Sequence, residues 1–188
     1  SVEGLVQAGI LTRRGETLRE HLAGCVTFPI PSIAGSGPER GVVGFYGRRV
    51  QGNGPDHLYL AGTHRGVWNA PALDAGDVVL VTEAVIDALS AWILGYPCAV
   101  ALYGTGGLTD DHVALFAGAA AAGRLREIVL AVDNDPPGDQ CVAHLAEVLP
   151  ERLGPHMPRL SRLHVPEREG VKDVNGFLCQ APGSLAEK

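Results

Sequence analysis

The stretch that decides the fold is Val78-Val79-Leu80-Val81-Thr82-Glu83-Ala84-Val85-Ile86-Asp87. It begins with a continuous apolar run, as expected of a strand that is buried on both faces of a sheet. The residues from Glu83 to Leu94 then follow a helical pattern, which Gly95 and Pro97 close. A buried strand that leads at once into a helix is typical of an α/β fold.

The alternation of strand and helix continues towards the end of the chain. Further strands are predicted at 98–102, 127–132 and 160–165. Further helices are predicted at about 110–122 with Thr109 or Asp110 as cap, at about 136–149 and at 174–178. Strands that are separated by helices pair in parallel, so the sequence predicts an α/β domain at 73–188 with a parallel sheet flanked by helices.

Residues 1–72 have a different pattern. Short strand candidates at 26–30, 41–46 and 57–60 are separated by Gly, Pro and Ser, and residues 5–22 are expected to be helical or irregular. We therefore predict a small mixed α/β subdomain at 1–72. Residues 1–70 hold seven Arg against five Asp or Glu although the whole chain has a net charge of −6, which fits a mildly basic lobe beside an acidic one.

The composition excludes several classes of protein. Hydrophobic residues make up 46% and charged residues 19% of the 188 residues, as in ordinary globular proteins. No apolar run approaches the roughly 20 residues that span a bilayer, and the start lacks a signal-peptide pattern. The four cysteines form no CxxC pair, which disfavours a zinc site. We expect a cytoplasmic protein.

Acidic side chains follow two of the predicted strands at the point where each ends. Glu83 follows the first strand, with Asp87 four residues later on the same predicted helix face, and Asp133 and Asp135 follow the third strand. Because the carboxyl ends of parallel strands share one edge, these carboxylates are expected to converge, and a divalent cation would offset their repulsion. Oxygen ligands favour Mg²⁺ or Mn²⁺. Taken singly, each pair also fits a helix start or a capped turn.

The turn Gly104-Thr105-Gly106-Gly107 follows the second strand. Its glycines either cradle a phosphate or simply reverse the chain. The turn has neither the Walker lysine nor the third glycine of a dinucleotide fingerprint, so a P-loop NTPase and a dinucleotide-binding protein are disfavoured.

Four segments resemble the motifs of a TOPRIM domain, in the right order. They are the Glu motif at 81–90, the second-strand turn at 101–106, the DxD motif at 131–135 with Gly138, and the closing segment at 172–178. Upstream, Phe28-Pro29-Ile30, Gly44-Phe45-Tyr46-Gly47-Arg48 and Tyr59-Leu60 resemble the subdomain that precedes TOPRIM in bacterial replicative primases. The resemblance implies a Rossmann-like TOPRIM fold and a primase core of the mobile-element or phage type. A zinc-binding module and a helicase are expected outside this chain.

A primase core implies a DNA-directed nucleotidyltransferase that makes short RNA primers on single-stranded DNA from nucleoside triphosphates, with Mg²⁺ or Mn²⁺. The matching motif positions imply that Glu83, Asp133 and Asp135 are catalytic. The metal ligands implied are Glu83, Asp87, Asp133, Asp135 and Asp173. The contacts implied to nucleic acid or nucleotide are Arg48, Arg49, Arg65, His57, Gly104, Thr105 and Lys172.

Two other functions remain open. A TOPRIM nuclease would cut a phosphodiester with the same metal ions. A single-stranded nucleic-acid-binding module would bind without turnover. The second is kept open by Ala84, which stands where the family usually has glycine, and by Leu58, which stands where primases usually have lysine.

Overall fold

The computed structural model describes residues 1–35, 40–166 and 168–180. The chain divides into two compact units, the first from Ser1 to Gly66 and the second starting at Val67. Among the helices in the described ranges, none is both long and apolar enough to span a membrane.

The described residues of the first unit form one short α-helix and five strands. They are α1 (Val2–Gln7), β1 (Leu11–Arg14), β2 (Thr17–Glu20), β3 (Cys25–Pro31), β4 (Val42–Arg49) and β5 (His57–Tyr59). β1 and β2 form a hairpin, so the prediction that residues 5–22 are helical or irregular is wrong for residues 11–20. The turn between these strands contains Gly15 at φ 59°, a conformation that costs glycine little.

The three remaining strands of this unit form an antiparallel sheet in the order β3-β4-β5. Tyr46 on the central strand is fully buried, and its ring lies 5.8 Å from that of Phe28 and 5.2 Å from that of Tyr59. These rings are cross-strand neighbours in the register. The core of this small unit is therefore centred on Tyr46 and its aromatic neighbours, as aromatic pairs allow.

The second unit alternates strands and helices. They are β6 (Val78–Thr82), α2 (Val85–Ile93), β7 (Ala99–Ala101), α3 (Asp110–Ala121), β8 (Glu127–Leu130), α4 (Pro136–Leu153), β9 (Arg159–Arg162) and α5 (Val174–Gln180). The four strands pair in parallel in the order β7-β6-β8-β9. The predicted α/β fold with a parallel sheet flanked by helices is confirmed.

The core of the second unit lies on the sheet. Val79 and Val81 of β6 and Ile128 and Leu130 of β8 are at most 1% exposed. α2 packs with α5, and α3 packs with α4. Each fully buried aliphatic side chain contributes roughly 1.5–3 kcal/mol, so this layer is a large part of what holds the sheet together.

Some predicted boundaries differ from the structure. The helix after β6 begins at Val85 because Ala84 is extended (φ −132°, ψ 157°), with its carbonyl accepting from the Thr82 hydroxyl over 2.9 Å. Glu83 therefore precedes the helix, and the prediction that it shares a helix face with Asp87 is wrong. β8 ends at Leu130, and α4 runs beyond its predicted end to Leu153.

The residues just after Gly66 belong structurally with the second unit. Val67, Ala70 and Leu73 are buried, and a 3₁₀ turn covers Ala70–Asp74. The Asn69 amide donates to the carbonyls of Pro97 and Ala99 over 3.0 and 2.8 Å. The sequence suggested a domain boundary at position 72. The compact units divide a few residues earlier, between Gly66 and Val67.

His112 is a buried polar residue of α3 whose hydrogen bonds are satisfied in the neutral form. Its Nε2 lies 2.9 Å from the carbonyl oxygen of Ala101 and donates to it, so Nδ1 accepts from the backbone N–H of Thr109 over 3.2 Å. Burial lowers the pKa of His112 below its ordinary value of 6.5, against the opposing effect of the Ala101 carbonyl.

The lowered pKa of His112 predicts that the folded protein becomes less stable in acid, and that His112→Gln removes this contribution. Below about pH 6.5 the unfolded chain binds a proton at His112 that the folded chain resists, so the free energy of unfolding falls by at most about 1.4 kcal/mol per pH unit. Urea unfolding at pH 7.5 and 5.5 should show a larger loss for the wild type than for His112→Gln. The exposed His144 provides the control. Equal losses in the wild type, His112→Gln and His144→Gln would contradict the prediction.

Candidate metal centre

The acidic residues meet at the carboxyl edge of the parallel sheet. Glu83 follows β6, and Asp133 and Asp135 follow β8, the strand next to β6. The backbone N–H of Asp133 donates to Oε1 of Glu83 over 3.2 Å. This hydrogen bond joins the two segments, so the structure brings these three predicted site residues together.

The glycine turn after β7 fixes the backbone at Glu83. The N–H of Gly104, at φ 89°, donates to the carbonyl of Glu83 over 3.0 Å. A side chain at Gly107 would overlap the backbone of Tyr103, so the turn requires glycine there. The turn thus positions the glutamate. That Gly104 and the half-buried Thr105 contact a nucleotide stays a prediction.

Asp135 starts α4 as its N-cap. Its Oδ1 accepts from the backbone N–H of Gly138 over 2.9 Å, which leaves Oδ2 directed elsewhere. This hydrogen bond and the neighbouring Lys172 hold the pKa of Asp135 below its usual range. A side chain at Gly138 would overlap the carbonyl oxygen of Asp133, so the first turn of the helix closes tightly over the DxD segment.

Lys172 joins the two aspartates. Its Nζ lies 2.7 Å from Oδ2 of Asp133 and 2.9 Å from Oδ2 of Asp135. Its backbone carbonyl accepts from the N–H of Asn134 over 2.6 Å. The contacts of Nζ with Asp133 and Asp135 raise the pKa of Lys172, so its ammonium group stays charged at neutral pH. The sequence predicted a nucleotide contact for Lys172; here it contacts the aspartates, and the nucleotide contact stays a prediction.

Asp87 and Asp173 form a second acidic pair where α2 meets α5. Oδ1 of Asp87 accepts from the N–H of Asn175 over 3.1 Å, and Oδ1 of Asp173 accepts from the N–H of Gly176 over 2.5 Å. The Asn175 amide also donates to Oγ of Ser90 over 3.0 Å. Ser90 and Asn175 were not predicted as site residues. Their nearness in sequence to Asp87 and Asp173 was the only available signal.

Burial and neighbouring carboxylates raise the pKa of two of the acidic residues, Glu83 and Asp87. Burial, followed by the charge of Asp133, raises the pKa of Glu83 to about 7, and Asp135 adds to the shift. Burial, followed by the charge of Asp173, raises the pKa of Asp87 to about 7. Ionisation of Glu83 and Asp87 is therefore unfavourable in their buried surroundings beside other carboxylates, and an additional cation would relieve the repulsion.

The pair formed by Asp133 and Asp135 fits a magnesium ion. Asp133 and Asp135 each direct one oxygen at the same cationic group, the ammonium of Lys172, and Glu83 is linked to Asp133 by a hydrogen bond. Within the described ranges, no group of three or more His, Cys, Asp or Glu side chains is arranged to hold a metal ion. Mg²⁺ is usually held by only one or two carboxylates, with water or phosphate as its other ligands.

The predicted nucleic-acid contacts of the first unit have partners of their own. Arg48 donates to Nε2 of His57 over 2.8 Å, and Nδ1 of His57 lies 2.8 Å from the hydroxyl of Tyr46. Arg49 donates to the carbonyls of Ala23, Gln51 and Pro55 and so fixes the loop after β4. Arg65 is exposed. Nucleic-acid binding by these residues stays a prediction.

A Toprim-like family model matches residues 80–178, from β6 to α5. The chain belongs to the Toprim-like family. The match includes Glu83, Asp87, Asp133, Asp135 and Asp173 and confirms the predicted resemblance to TOPRIM domains. No curated protein sequence matches the chain.

Solved primase structures have a similar fold. A DNA primase domain from Pseudomonas aeruginosa matches with a TM-score of 0.74 at 21% identity, covering 96% of this chain and 55% of that one. A DnaG primase catalytic domain bound to single-stranded DNA matches with 0.70 at 22% identity, covering 95% and 56%. The RNA polymerase domain of the Mycobacterium tuberculosis primase in complex with double-stranded DNA matches with 0.68 at 18% identity, covering 100% and 59%. The chain thus spans somewhat more than half the length of these structures and has the fold of primase catalytic cores.

The contact between Gly138 and Asp133 predicts a position-specific cost of an added methyl group. Gly138→Ala should destabilise the protein by roughly 1–3 kcal/mol, because its Cβ overlaps the Asp133 carbonyl and forces the DxD segment to move. The matched control is Gly118→Ala in α3, where nothing lies within 4 Å of the added Cβ. The free energy of unfolding of that control should rise by about 0.5–1 kcal/mol, because alanine favours a helix more than glycine does. Urea unfolding measures both, and equal effects would contradict the prediction.

Proposed function

We propose that this chain is the catalytic core of a primase-type nucleotidyltransferase that makes short RNA primers on single-stranded DNA. The observation that carries the proposal is the meeting of Glu83, Asp133 and Asp135 at one sheet edge inside a Toprim-like domain. The similarity to primase cores extends over 96% of the chain, and so includes the first unit, which the Toprim-like match does not reach. That extent favours a primase over other proteins with this domain.

In the proposed reaction, the 3′-hydroxyl of the growing RNA attacks the α-phosphorus of an incoming nucleoside triphosphate. A new P–O bond forms, the bond to the β-phosphate oxygen breaks, and pyrophosphate leaves. Asp133 and Asp135 would hold Mg²⁺ or Mn²⁺ with Glu83 as a further ligand or as the base that accepts the hydroxyl proton. Asp87 and Asp173 would support a second ion. When bound, such ions neutralise charge on the phosphate oxygens.

The first unit is proposed to bind template and product through Arg48, Arg49 and Arg65, with His57 beside Arg48. Support comes from the two matched primase structures that are complexes with single-stranded and double-stranded DNA. Phosphate contacts by arginine fix a protein's position on nucleic acid without reading its sequence. Single-stranded DNA and nucleoside triphosphates are therefore the proposed substrates.

Primer synthesis should fail when the carboxylates are changed to amides. Asp135→Asn can keep its cap on Gly138, and Glu83→Gln can still accept from Asp133, so these variants remove charge with little change of shape. Each of these two variants, and Asp133→Asn as a third, should lower synthesis on single-stranded DNA by at least about 100-fold, because metal-ion catalysis supplies several kcal/mol. Incorporation of labelled nucleotides measures the effect.

The matched control is Asp110→Asn, an exposed carboxylate of α3 that pairs with Arg152. It should leave synthesis within twofold of the wild type. Full synthesis by Glu83→Gln and Asp133→Asn would refute the proposal. Cleavage of labelled DNA without nucleotides would instead identify a nuclease, and salt-dependent binding without turnover would identify a binding module.

A further inference from the structure

Lys172 combines a fixed backbone with a mobile side chain. Its carbonyl accepts from the N–H of Asn134, and the adjacent Val171 is buried and bridged to Arg168. The Lys172 side chain is 55% exposed although its Nζ contacts both aspartates. The ammonium group can therefore leave the aspartates and enter solvent by side-chain rotation alone, without movement of the surrounding segment.

The oxygens that Lys172 contacts are also the ones that a metal ion would need. Oδ1 of Asp135 is engaged by Gly138, so Oδ2, which faces Lys172, is its available donor. In the part of the chain that the structure describes, no other Lys, Arg or His forms an ion pair with Asp133 or Asp135. An ammonium group and a divalent ion cannot occupy one position between the same two oxygens, because both need direct contact and they repel each other.

We propose that Lys172 is a built-in counter-ion of the metal centre: it holds Asp133 and Asp135 in the metal-free protein and is displaced when a divalent cation binds. The inference rests on the proposed metal centre and adds that metal affinity is limited by a competitor within the chain. Displacement also frees an ammonium group beside the site, where a phosphate oxygen can accept from it.

Removing the competitor should tighten metal binding. Lys172→Met keeps most of the side-chain length but cannot pair with the aspartates. Its dissociation constant for Mn²⁺ should fall roughly five- to tenfold, since two partly exposed ion pairs no longer have to be broken. Binding is measured without DNA or nucleotides, from the electron paramagnetic resonance signal of free Mn²⁺. Lys172→Arg keeps the charge and should not bind more tightly than the wild type.

A second measurement follows the displacement itself. Lys172 and Lys188 are the only lysines in the sequence, so amine labelling can be assigned to single positions by peptide mass spectrometry. Mn²⁺ should raise the rate of reductive methylation at Lys172 several-fold relative to Lys188, because a side chain that no longer contacts the aspartates is more accessible to the reagent. In Asp133→Asn, the same addition should leave the ratio unchanged.

The controls separate this inference from the proposed function. Arg168→Met removes a positive charge that contacts Phe177 and should leave the Mn²⁺ affinity unchanged. Equal Mn²⁺ affinity in the wild type and Lys172→Met, with binding still lost in Asp133→Asn, would overturn the role of Lys172 and leave the metal centre intact. If neither the wild type nor any variant binds Mn²⁺, the proposed metal centre and the proposed role of Lys172 are both refuted.

Discussion

The parallel pairing of β6 with β8 is the constraint on which the acidic edge depends. The register places Val81 beside Leu130, and the N–H of Ala131 extends the ladder by donating to the Val81 carbonyl over 2.8 Å. Two residues after Val81 and three after Leu130, Glu83 and Asp133 are close enough for a backbone-to-carboxylate hydrogen bond. Buried aliphatic side chains on both strands hold this register, because a shift by one residue would turn them to the opposite face.

Backbone hydrogen bonds orient the carboxylates of this edge without any bound cation. Glu83 accepts from Asp133, Asp135 from Gly138, and Asp87 from Asn175. Each of these bonds fixes one oxygen of its carboxylate. Such preorganisation matters in phosphoryl transfer, where the protein contributes mainly position and charge. Burial and, after it, carboxylate repulsion raise the pKa of Glu83 and Asp87, and at Glu83 the charge of Lys172 offsets part of the shift.

Polar side chains at the sheet edges have two different purposes. Asp133 and Asp135 face one another across Lys172 at the acidic edge. His112 and Asn69 instead donate to the carbonyls of Ala101 and Ala99, the last and first residues of β7. These hydrogen bonds join the strand to α3 and to the segment before the 3₁₀ turn. Buried polar groups of this second kind stabilise one arrangement of the chain because an unpaired carbonyl in the interior is costly.

The sequence by itself determined the parallel sheet, its flanking helices and the acidic edge. The apolar runs are continuous and the acids follow them directly, so burial and strand direction leave little freedom. Only the tertiary structure decided that Glu83 precedes α2, that residues 11–20 form a hairpin, and that Lys172 lies between Asp133 and Asp135. The first two features depend on local turn conformations. The position of Lys172 depends on contacts with residues 37 and 39 positions away, which no pattern of neighbouring residues encodes.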